Sequence, residues 1–106
     1  MSKSKAIEML DRMGFDPHLA GTEYTQEAVA YMMAKSGASM THDVYPAIAA
    51  ARDISWKSVE RAMRYALRTA EDNPSFRRCW DEMGGWRAPT NGALVRRMAR
   101  WARDED

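Results

Sequence analysis

A chain of 106 residues, 45% hydrophobic and 29% charged, holds one domain with one modest core and is too apolar to be disordered. Its lone cysteine excludes an internal disulfide and a Cys-based zinc cluster, and no apolar run approaches the roughly 20 residues of a membrane span. The net charge of +1 is uneven: residues 1–50 carry four Lys/Arg against six Asp/Glu, and residues 51–103 carry twelve against six, all but one of them Arg. Such a basic half commonly meets phosphate, although a solvated helical face has the same composition.

The predicted elements are all helical. Ala, Met, Arg and Glu dominate, and no alternating apolar–polar stretch marks a strand. A first helix is expected over Ser4 to Met13, with Ala6, Leu10 and Met13 on one side and Gly14 as a left-handed cap. After a break at Gly21, a second runs from about Thr22 to Lys35, with Ala28, Val29, Met32 and Met33 at helical spacing. A third spans about Thr41 to Arg52, and Pro46 predicts a kink or restart at Tyr45-Pro46. The fourth begins at the N-cap Ser55 and ends near Glu71, with Val59, Ala62, Met63, Ala66, Leu67 and Ala70 facing the core. Asn73-Pro74 opens a short helix to about Met83. The last runs from about Thr90 to Arg103, with Leu94, Met98 and Trp101 buried and Arg96, Arg100 and Arg103 on another side. The expected fold class is all-α, a compact domain of five to six helices.

The informative stretch is Ile48 to Arg64. A helix-turn-helix needs a small residue where its two helices cross, and Ala49 supplies it. Four residues later the turn needs a residue tolerant of positive φ, and Asp53 is of the few non-glycine types that enter that region. Ile54 and Val59 are then expected to lock the second helix onto the first. With the core stripe assigned, the opposite face of the fourth helix carries Lys57, Ser58, Glu60, Arg61, Arg64, Tyr65 and Arg68. A recognition helix lies in the major groove with its N-terminal residues nearest the base edges. There Arg bonds guanine O6 and N7, and a carboxylate accepts from cytosine N4. A Glu60 carboxylate facing a polyanion is repelled unless a base amino group meets it. Arg64 and Arg68 suit phosphate. Spacing alone leaves two readings, DNA binding and a solvated amphipathic helix pair.

The same residues resemble a known family. Val59-Glu60-Arg61-Ala62, with Arg64 and Ala66, follows Val44-Tyr45-Pro46 and Ile48-Ala49, and Pro89-Thr90-Asn91 precedes the final helix. Gly14, His18, Gly21, Tyr24, Glu27 and Ala28 also fall at matching positions. Together they resemble the C-terminal effector domain of stage zero sporulation protein A, a sporulation response regulator, over most of the chain from about Ala6. The resemblance implies an all-helical domain that binds a short G/C-containing box through its recognition helix, often as tandem copies. It implies base contacts from Glu60 and Arg61 and a backbone or base contact from Arg64. Two departures stand out: the family commonly has an Arg where Ser58 stands and a His where Tyr65 stands. Residues 73–86 are shorter than the family's, in a region that there helps touch RNA polymerase.

The expectation is therefore a sequence-specific transcriptional regulator of double-stranded DNA, with Ser55, Lys57, Ser58, Glu60, Arg61, Arg64, Tyr65 and Arg68 at the interface. Residues 1–106 are expected to form a single effector domain, its helix-turn-helix at about 46–71, with no receiver domain. Homodimeric or tandem binding on DNA and contact with RNA polymerase are further expectations; a membrane is not. An alternative is a protein-interaction module using the Trp- and Arg-rich C-terminal third. No cofactor, metal or catalytic group is expected: His18 and His42 lack a second ligand at metal spacing, and no phosphate loop or nucleophile–base pair occurs. Cys79 reads as a buried thiol. Trp80, Trp86 and Trp101 read as core, or else as a partner surface. Met1 to Lys5 leads into no apolar signal core, since Glu8, Asp11 and Arg12 interrupt, so the cytoplasm is the expected location.

Overall fold

In the computed structural model, which describes residues 2–85 and 87–105, six α-helices carry the chain. They are α1 (Ser2–Met13), α2 (Ala20–Ala34), α3 (Tyr45–Arg52), α4 (Trp56–Glu71), α5 (Pro74–Glu82) and α6 (Asn91–Glu105). Among the described residues there is no strand. The all-α expectation holds, and most helix ends lie within two residues of their predicted positions.

Central to the packing is α2, which touches α1, α4 and α6. It carries the buried Ala28, Val29 and Met32 into a core completed by Leu10, Met13, Met63, Leu67, Phe76, Leu94 and Met98. The predicted break at Gly21 is instead the second residue of α2. What Gly21 provides is proximity: a Cβ there would sit 1.9 Å from the Ala62 carbonyl oxygen of α4. Only a hydrogen atom lets the two helices cross this closely.

The third predicted helix divides in two. Met40–Val44 form a π-helical turn, and α3 follows with Pro46 in its first turn. Proline lacks the backbone donor that would continue the preceding ladder, so a restart is the expected response. At the other end of α3, Asp53 takes φ 55° and ψ 47°. The Ile54 amide reaches back to the Ala49 carbonyl at 3.2 Å, and the Asp53 amide to Ala50 at 3.5 Å. This is a Schellman ending with Asp in the position usually given to glycine. Gly14 closes α1 in the same way, at φ 89°.

Several burial assignments need correction, among them Ala62, which was expected on the core stripe of α4 and is half-buried. Ile54 is 38% exposed, because the left-handed turn swings it away from the α3–α4 seam; Val59 is fully buried and locks that seam with Ile48 and Ala49. Trp101 is half-buried, and Val95, Ala99 and Ala102 join Leu94 and Met98 on the buried face of α6. Trp80 is buried, stacks on Phe76 with ring centroids 6.4 Å apart, and donates its indole N–H to the Arg87 carbonyl at 2.8 Å. Trp86 lies outside the described residues. Cys79 is half-buried rather than enclosed, its thiol 3.8 Å from the Arg12 carbonyl.

Candidate nucleic-acid interface

The outer face of α4 is built by its inner one. Val59, Met63, Ala66, Leu67 and Ala70 are buried along one stripe, which leaves Lys57, Ser58, Arg61, Arg64, Tyr65 and Arg68 exposed on the other side. Glu60 is half-buried at the edge of that face. Ser55 stands just before the helix in an extended conformation, and its hydroxyl accepts the Ser58 amide at 3.1 Å. The Ser55 and Ser58 hydroxyls also lie 2.9 Å apart, so the Ser58 side chain is engaged with the cap. A capped N-terminus leaves the first amides of α4 facing outward, where their dipoles favour an anion.

The charged groups on this face differ in how far they are committed. Glu60 and Arg64 form an i,i+4 ion pair in the favourable order, and Arg68 pairs with Glu71 while reaching the Pro89 carbonyl at 3.3 Å. Lys57 lies over the Trp56 ring, 5.9 Å from its centroid. Trp56 in turn stacks on Tyr45 at 6.1 Å, tying the start of α4 to the start of α3. Arg61 stands apart: among the described residues its guanidinium has no hydrogen-bond or ion-pair partner. Tyr65 is 64% exposed, more than any other large hydrophobic side chain among the described residues.

Behind the face, Asn91 acts as a tie that sequence reasoning did not identify. Its buried amide donates to the Glu60 carbonyl at 3.0 Å and to the Tyr45 hydroxyl at 3.2 Å. One side chain of α6 thus connects α3 and α4. The adjoining Thr90 caps α6 by accepting the Ala93 amide at 3.1 Å. Burial pushes the Tyr45 phenol above its ordinary pKa; the Asn91 hydrogen bond opposes this, Glu60 adds to it, and Arg64 and Arg96 oppose it.

Arg52 was not assigned a role from the sequence. It ends α3 and pairs with Glu23, at 3.1 Å, and with Glu27, both on α2. Its guanidinium also lies 4.8 Å from the Tyr24 ring centre. The carboxylate of Glu27 raises its pKa further. Arg52 fastens the end of α3 to the central helix α2. The signal for it was present, since Glu23 and Glu27 recur one turn apart, but nothing in one dimension says which Arg they meet.

With this arrangement of α3, a left-handed three-residue turn and an outward-facing α4 in view, the family can be stated. A family model described as "Sporulation initiation factor Spo0A C terminal" matches residues 6–101. The chain belongs to this family. Spo0A C-terminal domains bind DNA and regulate transcription, and they are a regulatory family rather than an enzymatic one. No individual curated protein matches the chain. Among the described residues no helix is long and apolar enough to cross a membrane, and no group of three His, Cys, Asp or Glu side chains is placed to hold a metal.

Proposed function

We propose that α3 and α4 form a helix-turn-helix that places α4 in the major groove of a specific duplex. The observation that carries this reading is the uncommitted, exposed Arg61 at the centre of a polar face whose reverse side is fully packed. An α-helix is about 10–12 Å across and the major groove about 12 Å wide, so the fit requires a face clear of neighbouring structure. Arg61 supplies the two donors that suit guanine O6 and N7, and Glu60 the acceptor that suits cytosine N4. Lys57, Ser58 and Tyr65 flank them, while Ser55 holds the helix N-terminus toward a phosphate.

The Glu60–Arg64 pair has a role in this scheme. An exposed ion pair is worth roughly 0–1 kcal/mol, so exchanging it costs little. On the duplex, Arg64 turns to a phosphate and Glu60 to a base amino group, and each gains a partner of complementary charge. Arg68 takes a phosphate farther along. Tandem or dimeric occupancy of repeated boxes, and contact with RNA polymerase through the exposed side of α5, extend the same reading. A Trp-based protein-interaction surface is less favoured, because Trp80 is buried and Trp101 half-buried.

The test is selection of a preferred box from random duplex, followed by titration at two salt concentrations. Arg61→Ala is expected to cost about 1–3 kcal/mol of binding and to relax the preference at one position. Unchanged affinity and preference in that variant would remove α4 from the interface.

A further inference from the structure

A second basic surface adjoins the face of α4. It is an open groove between the 87–90 segment and α6, lined by Trp80, Arg87, Thr90, Arg96, Arg97 and Arg100, with no Asp or Glu among its described lining residues. Four arginines along one groove concentrate positive potential, and the residues lining it with them carry no charge.

The groove is built. Trp80 forms its floor, tied to the Arg87 carbonyl at 2.8 Å, and Gly85 packs so tightly beneath the indole that a Cβ there would lie 2.1 Å from the ring. Arg97 is held by the Met83 carbonyl at 3.3 Å. Arg96 folds back along α6: a Cβ on Gly92 would meet its guanidinium at 2.8 Å. Gly92 and Thr90 also line the cleft that contains Arg64 and Arg68, so Thr90 belongs to both hollows. Arg68 itself touches the Pro89 carbonyl. The charges of Arg64 and Arg96 both oppose the rise in the Tyr45 pKa, so both act on the same phenol. The two basic surfaces are continuous.

We infer that this groove carries the sugar–phosphate backbone of the same duplex beyond the segment that α4 reads, with Arg96 and Arg100 as the phosphate contacts. The inference rests on the major-groove reading of α4. A regular array of phosphates is the ligand that a charged strip continuous with a reading helix fits. An acidic protein segment is the competing occupant.

The test uses the full chain and compares wild type with the double variant Arg96→Gln/Arg100→Gln, and with Arg77→Gln/Arg78→Gln as a control for net charge. Arg77 and Arg78 are exposed on α5 and line neither hollow. Each lost phosphate contact removes about 0.9 from the slope of log affinity against log salt. The α6 variant is expected to lose about 1.8 of slope and roughly tenfold or more in affinity at physiological salt, with the preferred box unchanged. The control keeps the wild-type slope. If the α6 variant also keeps the wild-type slope and affinity, the inference is overturned and the groove is left to an acidic protein partner. If α6 and control variants lose slope equally, net charge is the cause and the inference fails. Failure of the wild-type chain to bind any duplex overturns the α4 reading as well, so the two failures are distinguishable.

Discussion

Arg52 and Arg61 stand nine positions apart, on the two helices of one motif, yet they have opposite surroundings. Arg52 is enclosed by Glu23, Glu27 and the Tyr24 ring, and its charge is satisfied within the fold. Arg61 extends into solvent from a helix whose other side is sealed. Availability, not the presence of positive charge, separates a surface suited to DNA from one that holds helices together. A tally of arginines along the chain cannot make that distinction.

The comparison can be broken at its foundation. Gly21→Ala is expected to push α2 away from Ala62 and so displace α4. Overpacking of this kind costs about 3 kcal/mol, and the roughly 1 kcal/mol gained in helix propensity only partly offsets it. A fall of about 10 °C in thermal unfolding is expected, with DNA binding weakened by the same variant. An unchanged midpoint would mean that the helices do not cross at this distance.

Arg52→Met sharpens the contrast. It should lower stability by about 1 kcal/mol, because Glu27 loses its half-buried partner, while leaving the preferred DNA box as it was. Arg61→Ala should do the reverse, altering binding but not the unfolding midpoint. Chemical denaturation and duplex titration of both variants separate these outcomes. Equal effects of the two variants on both measurements would erase the distinction.

Asp53→Ala is expected to cost about 1 kcal/mol in stability, since alanine tolerates the left-handed turn less well than aspartate, and Asp53→Gly should stay within a few tenths of wild type. The smallest effect concerns Tyr45. Its folded-state pKa is raised above the ordinary value of 10.0, so the unfolded chain releases this proton first as pH rises. Stability is therefore retained below pH 10 and declines above it, and Tyr45→Phe should flatten that decline in denaturation curves measured from pH 9 to 11.

Much of this architecture was legible one residue at a time. Ser55, Asn73-Pro74, Gly14 and Asp53 announce helix ends through local chemistry, and local chemistry survives folding. The buried stripe of α4 was legible because period alone determines it. Gly21 was misread because a glycine that permits close approach looks the same in sequence as one that ends a helix. Ile54 was placed in the core on its apolar character, but the turn geometry decides its direction. Asn91 and Arg52 were invisible in their present roles, since each depends on partners 25 or more positions away. The membership of residues 6–101 in the Spo0A C-terminal family agrees with the resemblance carried by Val59 to Ala62 and by Pro89 to Asn91.

The contact at Gly21 has a mechanical corollary. At that crossing α4 rests on bare main chain, with no deformable side-chain layer in between. A load applied to its outer surface therefore passes directly into the most heavily buttressed element of the molecule. A rod seated this way has little freedom to surrender when it engages a rigid ligand, so little of the contact energy is spent on ordering it.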